Sequence, residues 1–95
     1  MAMTIGLCTL EFHLPGSTNL KQKRKFLNSL RNKLCAHYNV AFAEVDCQDL
    51  WQRSVVGVVS ISNDRKVLDS TFQKVLRVAE GRTDAVLINF NMEFL

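Results

Sequence analysis

Along this chain the spacing of apolar residues shifts from a period of two to a period of about 3.6 and back again, and it does so twice. From Thr4 to Leu14, the side chains Cys8, Leu10, Phe12 and Leu14 alternate with Thr9, Glu11 and His13, as in a strand with one buried face. Pro15 and Gly16 end that pattern, and Ser17 or Thr18 is placed to cap a helix. Leu20, Leu27, Leu30 and Leu34 then share one helical face with Phe26 at its margin, opposite Lys21, Lys25, Asn28 and Asn32, out to about His37. Val40 to Asp46 reads as a second strand, with Ala41, Ala43 and Val45 on one side and Phe42, Glu44 and Asp46 on the other; Arg53 to Ser62 reads as a third. A second helix starts at Ser62 or Asn63, turns Leu68, Phe72, Val75 and Ala79 inward, and stops near Gly81. Asp84 to Phe94 alternates once more, with Val86, Ile88, Phe90, Met92 and Phe94 on its buried side. The order β-α-β-β-α-β, with right-handed crossovers, predicts one α+β domain over residues 1–95: a four-stranded antiparallel sheet with both helices on one face, the ferredoxin-like arrangement.

Ninety-five residues, 47% of them hydrophobic, are enough for a single core without staples. No apolar run approaches the roughly 20 residues that cross a bilayer, and Met1 to Thr9 lacks a secretory pattern, so the expectation is a cytoplasmic protein with no membrane partner. Cys8, Cys35 and Cys47 have no zinc or disulfide spacing, and no metal or cofactor is expected.

Charge separates along the chain more than the net +3 suggests. Lys21, Lys23, Arg24, Lys25, Arg31 and Lys33 all fall between Ser17 and His37, a stretch without a single acid, while the rest of the chain carries six basic and nine acidic residues. Most of these cations crowd the start of the first helix, where the macrodipole favours anions. A local rule broken in this way marks a candidate anion site. Backbone N–H groups, the Ser17 and Thr18 hydroxyls, and Lys21, Lys23, Arg24 and Lys25 would face a phosphate, and Arg31 would extend the contact along a nucleic-acid backbone. The plainer reading is a solvated basic face. A Walker A loop is missing, no catalytic constellation stands out, and phosphate contacts of this kind position a nucleic acid without DNA sequence readout.

Three other groups complete the candidates. The uncovered sheet face, expected to show Ile5, Leu7, Val40, Phe42 and Leu87, suggests homodimerisation. In Gln48-Asp49-Leu50-Trp51-Gln52-Arg53, either Leu50 and Trp51 close the end of the core above an Asp49–Arg53 ion pair, or Trp51 and Arg53 belong to a partner-binding loop. His13, Glu44 and Asp46, with Glu11, are polar residues expected on the open face, and a metal-dependent or small-molecule enzyme built on them is the remaining alternative.

Leu14-Pro15-Gly16 with Leu20-Lys21 and Lys23-Arg24, Asn39-Val40 with Ala43-Glu44-Val45-Asp46, the stretch Gln48–Arg53, and Ser62-Asn63-Asp64 together resemble the YlxP-like family of small bacterial domains of unknown function. The resemblance implies a ferredoxin-like fold. The family's genes often neighbour those for translation initiation and ribosome maturation, which implies by association a connection with RNA or the ribosome. It carries over no catalytic residue.

Overall fold

The structure, a computed structural model, describes residues 2–95. Six elements follow one another: β1 (Thr4–His13), α1 (Leu20–His37), β2 (Ala41–Asp46), β3 (Arg53–Ser62), α2 (Arg65–Glu80) and β4 (Val86–Phe94). The four strands form one antiparallel sheet in the order β2-β3-β1-β4, as the ferredoxin-like reading requires. β1 and β3 pair from Thr4 opposite Ser62 to His13 opposite Arg53, which makes them the sheet's centre.

Both helices pack on the face shown by Cys8, Leu10, Phe12, Val56 and Val58, all fully buried. Phe26, Leu27, Leu30 and Leu34 reach down from α1; Phe72, Val75, Leu76 and Ala79 reach down from α2. Each such side chain contributes about 1.5–3 kcal/mol on leaving water. Phe12 and Phe26 meet edge to face with ring centroids 5.1 Å apart. Burial also pushes the Cys8 thiol up to about 11, so this cysteine stays protonated inside the core.

The start of each helix corrects the sequence reading. Asn19, not Ser17 or Thr18, caps α1, its side chain accepting from the Gln22 N–H at 2.8 Å. Gln22 in turn accepts from the Thr18 N–H at 2.6 Å and from its hydroxyl. With Leu20 as the first helical residue, only Lys21 among the cations lies in the first turn proper. In α2, Asp64 is itself the cap, accepting from the Lys66 N–H at 2.9 Å, and does not sit within the first turn.

Two strands face differently from their expected parity. Phe42 and Glu44 stand opposite Val58 and Val56, and so lie on the helix side; Ala41 and Ala43 are on the open side. Val45 stands on the open side too, where its Cγ1 covers Gly57, and an irregularity between Glu44 and Asp46 brings Asp46 opposite Val55 on that same side. In β4, a bulge opposite Glu11 and Phe12 turns Leu87 towards the core and leaves Val86 and Ile88 half exposed. Sequence alternation alone carries no sign of an inserted residue.

Gly6 is required by a close approach. A Cβ there would come within 2.5 Å of the buried Phe72 ring and 3.4 Å of Phe94. Gly6→Ala is expected to cost about 1–3 kcal/mol in urea unfolding, by forcing that ring out of its seat. Adding Phe72→Leu should recover part of the loss.

Candidate functional site

Four cations survive as an exposed row on α1. Lys21, Arg24, Lys25 and Arg31 are all exposed, and none takes part in any of the three ion pairs among the described residues. Lys21, Arg24 and Lys25 border one shallow depression together with Asn19, Gln22 and Asn28. Arg31 and Asn28 line the next, which reaches β2 at Ala43. Cations without acidic partners at this spacing present a continuous positive strip, suited to a chain of phosphates.

Lys23 does not belong to that strip. Its side chain is 1% exposed, and its ammonium lies 3.0 Å from Glu44 Oε2. It also donates to the carbonyls of Cys47 at 2.7 Å, Gln48 at 3.1 Å and Arg53 at 3.3 Å. Glu44 accepts a further bond from the Ser54 hydroxyl at 2.6 Å. A signal for this was present, since Lys23 stands three, four and seven residues before Phe26, Leu27 and Leu30, in the middle of the buried stripe. Its charge drew it into the surface group.

Ser17 is also removed from the surface, being buried with its hydroxyl donating to the Asn19 carbonyl. Thr18 is exposed, but its hydroxyl and N–H are both directed at Gln22. The end of α1 is thus closed by its own side chains. What remains for an anion is the row of cations along the helix.

The Cys47–Gln52 loop joins β2 to β3 and is fastened from several sides. Cys47, at a positive φ of 61°, turns the chain so that three carbonyls converge on Lys23. Gln52 accepts the Leu14 N–H through its carbonyl at 2.9 Å, and donates through its side chain to the Pro15 and Ser17 carbonyls at 3.3 and 3.1 Å. His13 Nδ1 lies 3.1 Å from the same Gln52 carbonyl. Held this way, Leu50 and Trp51 remain about half exposed, so they do not close the core. Arg53 pairs with Glu11 across β1 and not with Asp49, its Nε 3.0 Å from Glu11 Oε2; that carboxylate raises the Arg53 pKa above its ordinary value.

The other candidates are separated by the sheet. Phe42 packs on the helix-side core and is absent from the open face, as is Leu87. Glu44 points to the helix side, whereas His13 lies on the open side and Asp46 accepts the Cys47 N–H. The three do not converge, and among the described residues no group of three His, Cys, Asp or Glu side chains is placed to hold a metal.

In place of Phe42 the open face has a lopsided apolar patch. Val45, Val59 and Ile61 are 40–54% exposed, beside Val55, Ile5 and Leu7 and around Gly57. Towards β4 the same face becomes polar, with Thr9, Glu11, Asn89, Asn91 and Glu93. Of this patch the sequence pattern indicates only Ile5 and Leu7, because β3 carries apolar residues at both parities and its alternation assigns no face.

Residues 5–92 match the model of the family described as "Protein of unknown function (DUF503)". Among curated proteins, the uncharacterized protein YlxP of Bacillus subtilis (strain 168) is 31% identical over 72 residues, which span 76% of this chain and 78% of that protein. The YlxP-like resemblance is thereby borne out. No helix among the described residues is long and apolar enough to cross a membrane.

Lys23→Met is expected to cost about 3–5 kcal/mol in urea unfolding, because it strands the Glu44 carboxylate and three loop carbonyls. Glu44→Gln should cost distinctly less, since those carbonyls still hold the ammonium. Fluorescence of Trp51, the single tryptophan, should report the freed loop in the first variant and a near-native loop in the second.

Proposed function

The chain belongs to the DUF503 family, and on that premise we propose that it is a non-enzymatic module that associates with RNA or the ribosome through the exposed face of α1. The observation that carries this reading is the row Lys21, Arg24, Lys25 and Arg31, exposed and without acidic partners. α2 adds Arg65, Lys66, Lys74 and Arg77 to the same layer against Asp69 and Glu80, so the whole helical side of the molecule is cationic. Phosphate contacts from side chains of this kind set the position of a nucleic acid and read no sequence. The open sheet face supplies none of the aromatic platform with surrounding cations that sheet-mounted base stacking uses.

On a single-stranded RNA, four phosphate contacts would give a slope of log affinity against log salt of about −2.8. The variant Lys21→Glu/Arg24→Glu/Lys25→Glu should lose measurable binding in a filter or anisotropy assay while melting like the unmodified protein. Unchanged binding by that folded variant would sink the proposal.

A second reading, self-association through the open sheet, is favoured by the half-exposed Val45, Val59 and Ile61 around Gly57. Sedimentation at micromolar concentration should show a dimer that Val59→Glu converts to a monomer. A strictly monomeric unmodified protein would overturn this reading.

A further inference from the structure

Beside the cationic row is a groove of about 520 Å³, within the size range of small-ligand sites. The Pro15–Gly16 turn forms one wall, and Gln22, Lys25 and Ser29 of α1 form another. The third is the segment from Arg82 to Asp84 that leads from α2 towards β4, with Leu14 and Phe26 below. Lys25 also borders the depression shared by Lys21 and Arg24, so a backbone following the cations passes the mouth of the groove.

Two features of the groove bear on what it can hold. The first is the Arg82 guanidinium. Asp84 takes it at 3.3 Å through each carboxylate oxygen, the Ser29 hydroxyl accepts at 3.0 Å, and its carbon stands 5.5 Å from the Phe26 ring centroid. It is a fixed plane, neutralised by its own carboxylate, and so fitted for stacking more than for holding phosphate. The second is Gly16. Its φ is not positive, and a Cβ built on it meets no atom within 4 Å. Neither its backbone angles nor the packing of the protein calls for glycine, whereas close approach of a ligand to the turn would.

We infer that this groove receives one unpaired nucleotide of a nucleic-acid strand, its base laid against the Arg82 guanidinium and its phosphate at Lys25. Guanidinium planes are among the surfaces on which splayed-out bases stack, and only an unpaired base is free to leave its own strand. Thr83 and Asp84 supply donor and acceptor groups at the rim for the base edge. The inference rests on the phosphate-binding reading of α1 and deepens it: the cations hold the backbone, and the groove selects single strands over duplex.

The test is fluorescence anisotropy with a labelled single-stranded RNA, a hairpin duplex of equal phosphate number, and free AMP as competitor, all at one salt concentration. The single strand should bind about tenfold more tightly than the duplex. Gly16→Val and Thr83→Leu add bulk at the groove without changing charge or adding a stacking surface, and an exposed position at each gives no reason for misfolding. Each should erase the preference while leaving duplex affinity and the salt slope as they were. Equal affinity for both RNAs, or a preference that survives both substitutions, would overturn the groove and leave the cationic row standing. Absence of binding to either RNA would overturn both. Free AMP should weaken single-strand binding towards the duplex affinity, and single-strand binding that AMP leaves unchanged would count against a base seated in the groove.

Discussion

The arrangement of this domain depends on one buried ammonium. Taking a lysine and a glutamate out of water costs several kcal/mol per ion, and only good geometry with further hydrogen bonds offsets it. Lys23 has both: a carboxylate at 3.0 Å and three backbone carbonyls within 3.3 Å. Those carbonyls belong to the β2–β3 loop and to the first residue of β3, while the lysine belongs to the second turn of α1. The pair therefore fastens the helix to the hairpin at the end of the sheet where the Pro15–Gly16 turn is also held, through Gln52. Since helical residues are fixed relative to each other, a lysine that points inward sets which way Lys21, Arg24 and Lys25 point outward.

The two faces of the molecule consequently differ in kind. On the helical side, cations outnumber acids, and the exposed ones of α1 stand outside the ion pairs among the described residues; on the open sheet side, Glu11 is already matched by Arg53, and the β2–β3 half is apolar. A polyanion and a second apolar surface would meet opposite sides of one layer pair. The two proposed modes of association would not compete for surface.

Element order and type were legible because each segment repeats its own period for at least six residues, and the tight β1–β3 core follows from the run of Cys8, Leu10 and Phe12 against Val56 and Val58. Facing was less legible. β2 carries apolar residues on both parities, so Ala41, Ala43 and Val45 seemed as fit for the core as Phe42; volume decides it, because phenylalanine fills space under a helix that alanine leaves empty. In β4 a single unpaired residue reversed the faces of Leu87 and Ile88, and no local composition announces a bulge. At the candidate site, the exposed cations were readable from α1 alone. The fate of Lys23 was not, because its partners lie 21 to 30 residues away in the chain, on β2, the loop after it and the first residue of β3.

The same irregularities in β2 and β4 have a consequence for how copies of the chain can meet. β2 and β4 are the two edges of the sheet, and each carries its bulge within the strand, beside half-exposed Val45 in one case and Ile88 in the other. An incoming strand would find the row of free N–H and C=O groups interrupted partway along either edge. Edge-to-edge addition is open-ended and leads to fibres, whereas face-to-face contact across a two-fold axis saturates at two. With both edges interrupted in this way, any self-association of the sheet would be confined to its face, where a closed pair is the natural end point.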